Sequence, residues 1–95
     1  MEKNFKLIYS ETARRQVRSL HPDLEPQIKT KIEKISEHPY IGKFLEKDLS
    51  GYLSLRAKRY RIIYRVNDNA RVIEIHHVGY RKDIYQLFSE QIQRR

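Results

Sequence analysis

The chain of 95 residues contains no cysteine. It therefore has no disulfide, no thiolate nucleophile and no cysteine-based zinc site, which excludes whole classes of enzyme. It also lacks any apolar run approaching the roughly 20 residues that span a bilayer, and its N-terminal segment MEKNFKLIYSE is too polar for a signal peptide. We expect a soluble protein that does not enter a membrane and stays in the cytoplasm.

Acidic residues are few relative to basic ones. Twelve Asp and Glu face twenty Lys and Arg, so the formal charge is +8 and the isoelectric point is near 9.9. Such an excess favours a polyanionic partner, which could be nucleic acid, an anionic membrane or an acidic protein, although a merely basic surface would have the same composition. The chain also has no linker, repeat or low-complexity segment, and its length suits one domain over residues 1–95. The functional site must then lie on the elements that form the fold.

The N-terminal third of the chain predicts one strand and two helices. Residues 5–9 are rich in strand formers, and Ser10 can cap the helix that follows. Apolar residues recur at helical spacing over residues 11–20 and again after the His21-Pro22 break. Pro39 disfavours helical dihedrals at the preceding residue, so the second helix should end there. Two short antiparallel helices are expected.

The remainder predicts three sequential strands and a last helix. Residues 40–48 form a connector that could add a weak edge strand, and alternation of apolar residues then predicts strands over 52–56, 60–66 and 71–78. Helical spacing returns after Gly79. The order β-α-α-β-β-β-α predicts an α+β fold, an antiparallel sheet with the N-terminal helical hairpin packed on one face and the other face left available.

Arginines on the strands are the main functional signal. Metal-independent cleavage of RNA needs a base for the 2′-hydroxyl, cations around the phosphate and an acid for the leaving 5′-oxygen. Arginine supplies the cation well because its planar fork binds phosphate and stays charged. Alternation puts two of the arginines on one strand face, where they could equally serve only solubility. The candidate phosphate contacts are Arg56, Lys58, Arg59, Arg61, Arg65 and Arg81.

Aromatic, histidine and carboxylate side chains add weaker signals. Tyr80 and Tyr85 lie near the arginines and could stack on unpaired bases, whereas Tyr60 and Tyr64 share parity with core residues. His76 and His77 are adjacent and should point to opposite faces of a strand, so they cannot jointly bind a metal, and no metal or other cofactor is expected. His76 could instead act as an acid or base or be a rim residue. Glu46 is a candidate base, or simply a solvated loop charge.

The segments LSGYLSLRAKRYRIIYRV and VGYRKDIY resemble the RelE/ParE superfamily of type II toxin–antitoxin toxins, also called plasmid stabilization proteins. In RelE-like members the resemblance implies a ribosome-dependent endoribonuclease that enters the A site and cuts mRNA without a metal, leaving a 2′,3′-cyclic phosphate. By position, Arg61 resembles the arginine that stabilises the transition-state phosphate, Arg81 a second catalytic arginine, and Tyr85 the tyrosine that stacks on the substrate.

The chain departs from RelE at the proton-transfer residues. Tyr52 and Ser54 stand where RelE has lysines, so the general acid and base are unassigned. LSGYxSxR is closer to the YoeB branch, in which an upstream glutamate acts as base; Glu46 matches it loosely. Tyr80 stands where Gly-His-Arg versions have a histidine.

Three functions stay open. The first is an mRNA interferase that binds the ribosome and mRNA and is neutralised by a cognate acidic antitoxin. The second is a ParE-like inhibitor of DNA gyrase without nuclease activity. The third is a non-toxic relative that retains only antitoxin or RNA binding.

Overall fold

The computed structural model describes residues 4–80 and 84–93. Three helices and five strands follow one another in the predicted order, with a two-residue edge strand added in the connector. They are β1 (Lys6–Tyr9), α1 (Glu11–Arg18), α2 (Glu25–Glu37), β2 (Lys43–Phe44), β3 (Leu53–Ala57), β4 (Tyr60–Asn67), β5 (Val72–Tyr80) and α3 (Ile84–Gln93). None of the described helices is long and apolar enough to cross a membrane.

The five strands form one sheet in the order β1-β5-β4-β3-β2. The strands β2 to β5 are antiparallel to their neighbours, as predicted. β1, however, pairs in parallel with β5, so the sheet is mixed rather than purely antiparallel. The β3–β4 and β4–β5 hairpins each reverse the chain, so β5 runs in the same direction as β3. β1, which precedes the helices, runs in that direction too.

The N-terminal helices cover one face of the sheet, as expected from their apolar spacing. Ser10 begins α1 with a cap, because its hydroxyl accepts a hydrogen bond from the backbone N–H of Ala13 at 3.0 Å. Isoleucines of α2 pack with α1 against β3, β4 and β5. The fully buried residues of this core include Ala13, Ile28, Ile35, Ile62, Tyr64, Ile73 and Ile75.

The opposite face is partly covered, contrary to the expectation that it stays available. α3 packs Ile84 and Phe88 against Ile63 of β4 and Leu49, which forms a second, smaller core. An amphipathic helix must bury its apolar stripe, and the uncovered half of the sheet is the surface left for it. Any site on this face is therefore bordered by α3.

A β-bulge interrupts the pairing of β4 with β5. Ile63 pairs with His77 and the next residue, Tyr64, pairs with Ile75, so His76 is an extra residue on β5. The bulge changes the side of the sheet to which the following side chains point. This irregularity determines where the two histidines lie.

Candidate functional site

Two arginines of adjacent strands lie side by side on the sheet face that α3 borders. Arg56 of β3 pairs directly with Arg61 of β4, next to the tight turn that joins the two strands. Arg61 alternates with Ile63, which packs under α3, so the predicted parity of this strand is right. Two like charges directly opposite each other repel, and an anion between them would relieve that repulsion.

Arg61 contacts the predicted stacking residue. Its guanidinium carbon lies 5.8 Å from the centre of the Tyr85 ring, in the first turn of α3. The Tyr85 hydroxyl is hydrogen-bonded to the hydroxyl of Ser54 at 3.0 Å. Arg61 is half-buried, and within the described residues its Nε is a buried donor without a hydrogen-bond partner. A buried N–H left unpaired costs about 1–3 kcal/mol, so this side chain is held in an energetically unfavourable position.

A second cation–aromatic pair lies further along the same strand. The guanidinium of Arg65 lies 5.4 Å from the centre of the Tyr52 ring. That ring meets His76 edge-on at 5.3 Å, and His76 Nε2 lies 3.0 Å from Glu74 Oε1. Glu74 was not predicted from the sequence, although its position two residues before His76 on a strand was the available signal. Arg65, Tyr52, His76 and Glu74 thus form a connected polar cluster.

The prediction that His76 and His77 point to opposite faces is wrong. Both rings contact Phe88 of α3, at centroid distances of 6.0 and 5.8 Å. The bulge at His76 is the reason, because the extra residue removes the alternation between the two. Even so, within residues 4–80 and 84–93 no group of three or more metal-binding side chains is close enough to hold an ion.

His77 connects α1, β5 and α3 through glutamines. Gln16 Oε1 accepts from the Val78 N–H at 2.7 Å, so its amide NH₂ points to His77 Nε2 at 3.1 Å. The opposite ring nitrogen, Nδ1, then donates to Gln91 Oε1 at 3.2 Å. Burial lowers the pKa of His77 below its ordinary value of 6.5, against a smaller opposing effect of the Gln91 hydrogen bond. His77 is therefore a neutral, structural histidine, and sequence patterns gave no sign of its glutamine partners.

Three other predicted residues lie at the end of the sheet where β3 turns into β4. Lys58 and Arg59 form the turn itself and are exposed, and Lys58 adopts a left-handed φ of 59°. Tyr80 ends β5 and stacks on Tyr60 with ring centroids 4.6 Å apart. Since Tyr60 packs against the core under the N-terminal helices, this pair lies on the face opposite Arg61. The predicted binding residues are thus divided between two faces.

Two predicted catalytic residues are not part of this arrangement. Glu46 is exposed, and its side chain makes no hydrogen bond or ion pair with any other described residue. Arg81 lies outside the described residues.

Solved structures that align with this chain include toxin–antitoxin complexes and an isolated toxin. The toxin–antitoxin complex RelBE2 from Mycobacterium tuberculosis aligns with a TM-score of 0.77 and 28% identity, over 85% of this chain and 95% of that chain. The isolated E. coli RelE toxin aligns with a TM-score of 0.70 and 26% identity, over 93% and 98% of the two chains. The fold is therefore that of the RelE/ParE superfamily.

Sequence comparison gives the same result. The model of the family described as "ParE toxin of type II toxin-antitoxin system, parDE" matches residues 1–85. Toxin RelG of Mycobacterium tuberculosis is 34% identical over 80 residues, covering 82% of this chain and 92% of the relative. The chain belongs to the ParE toxin family within the RelE/ParE superfamily of type II toxin–antitoxin toxins, and the predicted superfamily is confirmed.

Proposed function

We propose that the protein is a ribosome-dependent endoribonuclease that cuts mRNA in the A site without a metal. The observation that carries this proposal is the Arg56–Arg61 pair beside Tyr85, two adjacent cations next to an aromatic ring. A phosphate between the arginines would be gripped by planar donors that stay charged, and an unpaired base could stack on the tyrosine.

The reaction is attack of a ribose 2′-oxygen on the adjacent phosphorus, with loss of the 5′-oxygen and formation of a 2′,3′-cyclic phosphate. A base removes the 2′-hydroxyl proton, an acid protonates the leaving oxygen, and Arg61 stabilises the negative charge that develops on the phosphoryl oxygens. The contact of Arg61 with Tyr85 supports this role, since it sets the guanidinium beside the ring on which a base could stack.

The groups that transfer protons differ from those of RelE. Ser54 and Tyr52 carry no positive charge, so neither replaces a lysine. The Ser54 hydroxyl is hydrogen-bonded to that of Tyr85, and the Tyr52 ring lies under Arg65. We assign proton transfer to His76, because it is half-buried on this face and hydrogen-bonded to a carboxylate, Glu74. Glu46 stays the predicted alternative base, and Arg81 stays the predicted second arginine.

A cognate antitoxin is the second partner. The relatives with solved structures include RelBE toxin–antitoxin complexes. The charge of +8 complements an acidic chain that folds on binding. The exposed apolar side chains of Ile41 and Phe44, at and beside β2, offer such a chain a surface to cover.

A ParE-like inhibitor of DNA gyrase is the second candidate function. The family description names ParE, and Tyr52 and Ser54 replace the RelE lysines. This candidate requires no nuclease chemistry, so substitution of Arg61 or His76 need not affect it.

One experiment separates the two functions. Purified protein is added to translating ribosomes, mRNA ends are mapped and the 2′,3′-cyclic phosphate is assayed, with gyrase supercoiling measured in parallel. We expect cleavage in wild type and a loss of about 100- to 1000-fold in Arg61→Ala, as for removal of one transition-state donor. Arg14→Ala, at an exposed position of α1, is the matched control and should cut normally. Inhibition of supercoiling by wild type without mRNA cleavage would refute the endoribonuclease.

A further inference from the structure

A pocket lies on the sheet face opposite Arg61. It has a volume of about 300 Å³ and is lined by Leu24, Lys58, Arg59, Tyr60 and Tyr80; we call it the Tyr60–Tyr80 pocket. The two tyrosines pair directly across β4 and β5, and their rings are inclined by 36°. Tyr80 is 57% exposed despite this contact, so much of an aromatic ring is open to a ligand.

The charge of the pocket suits a phosphate. Among residues 4–80 and 84–93, its lining contains two cations and no carboxylate. Of the two carboxylates that flank Leu24 in the sequence, Glu25 lies 3.2 Å from Lys29, and Asp23 lies outside the pocket lining with its side chain 89% exposed. An open aromatic ring beside two cations is the combination that binds single-stranded nucleic acid, in which bases stack and phosphates meet basic side chains.

The position of the pocket relates it to the arginine pair. Tyr60 and Arg61 are consecutive residues of β4, so their side chains lie on opposite faces close to the same point of the sheet. The Lys58-Arg59 turn lies at that end of the sheet, between the two faces. Cations therefore continue from the arginine pair, around the turn and into the pocket.

We propose that the Tyr60–Tyr80 pocket holds an unpaired base of the same RNA strand whose phosphate lies at Arg61, with Lys58 and Arg59 contacting the phosphates between. The identification of the ligand as RNA rests on the proposed function. The pocket holds a nucleotide outside the cleaved step, and it adds affinity by stacking rather than by chemistry.

Binding of a labelled single-stranded oligoribonucleotide tests this proposal. The probe carries 2′-O-methyl groups, so it cannot be cut through a 2′-hydroxyl, and its affinity is measured by fluorescence anisotropy. We expect Tyr80→Ala to weaken binding by about 5- to 150-fold, the loss of one base–aromatic stack. Tyr80→Phe, which keeps the ring, should bind like wild type. Arg59→Gln should reduce the slope of log affinity against log salt concentration by about one.

Two controls define the site. Tyr40 is 50% exposed and stacks on Phe44 at the opposite end of the sheet, so Tyr40→Ala should leave the affinity unchanged. A methylated dinucleotide, too short to reach both faces, should bind wild type much more weakly than the long probe, because it occupies only one of the two sites at a time. Equal weakening by Tyr80→Ala and Tyr40→Ala, or a dinucleotide that binds wild type as tightly as the long probe, would overturn the proposal.

The outcome is separable from that of the proposed function. A protein that cleaves mRNA on ribosomes but binds the long probe equally well with Tyr80→Ala keeps the nuclease and loses the pocket. A protein that does not cleave but loses probe affinity with Tyr80→Ala supports the pocket and refutes the nuclease.

Discussion

Replacing Arg61 with methionine should stabilise the protein while abolishing the proposed RNA cleavage. The buried Nε of Arg61 has no hydrogen-bond partner among the described residues. Methionine keeps the length and flexibility of the apolar stem but removes this donor, together with the charge that repels Arg56 across the strands. The substitution therefore removes an unfavourable group without leaving a large cavity.

The magnitude follows from two opposing terms. Removal of an unpaired buried donor recovers about 1–3 kcal/mol. Loss of the contact with the Tyr85 ring, 5.8 Å from the guanidinium, costs about 0.5–1 kcal/mol. The net stabilisation is about 0–2.5 kcal/mol, and for a domain of this size each kcal/mol raises the melting temperature by about 4–8 °C.

Thermal unfolding followed by circular dichroism measures the effect. Arg65→Met is the matched control: Arg65 makes a similar contact with Tyr52 at 5.4 Å but has no buried unpaired donor, so its melting temperature should fall slightly. A melting temperature of Arg61→Met below that of Arg65→Met would show that the Arg61 donor is satisfied in solution, and the reasoning would be wrong.

Three further substitutions test the structure away from the arginines. Tyr64→Phe leaves the Pro39 carbonyl and the Gly42 N–H without the hydroxyl that binds them at 2.8 and 2.9 Å, and should lower the free energy of unfolding in urea by about 1–3 kcal/mol. His77→Gln should flatten the pH dependence of stability: the folded state lowers the pKa of His77, so wild type is most stable above pH 6.5 and loses stability as the pH falls through the folded pKa. Ser10→Ala removes the cap of α1 and should cost about 0.5–2 kcal/mol.

Each of these has a clear contrary result. Tyr64→Phe with wild-type stability would mean that water replaces the hydroxyl. An unchanged pH profile in His77→Gln would assign the titration to another histidine. An unaffected midpoint in Ser10→Ala would show that α1 is held by packing alone.

Local sequence patterns predicted most of the helices and strands, because each has its own periodicity of apolar residues. Apolar spacing identified both N-terminal helices, and alternation put Arg61 and Ile63 on one face of β4, where the structure has them. Burial of the α3 stripe could also have been predicted, since Ile84 and Phe88 need a partner surface, and the sheet face assumed to be free was the one available.

Features that depend on distant parts of the chain could not be read locally. The bulge at His76 inserts one residue without a glycine or proline to mark it, and it alone turns both histidines toward Phe88. The division of the binding residues between two faces follows from the register of Tyr60 with Tyr80, which no local period specifies. Contacts from side-chain amides, such as Gln16 with His77, require the assembled fold.

The parallel pairing of β1 with β5 has a consequence for synthesis of the chain. The first strand can complete the sheet only after the last has been made, because Lys6 pairs with Val72. β5 also lies between β1 and β4, so a nascent chain that ends at residue 67 lacks the strand that joins the two halves of the sheet. Such long-range pairing folds late, and a chain stalled there should be digested by protease throughout. A toxin with this topology becomes folded only when its own translation is nearly finished.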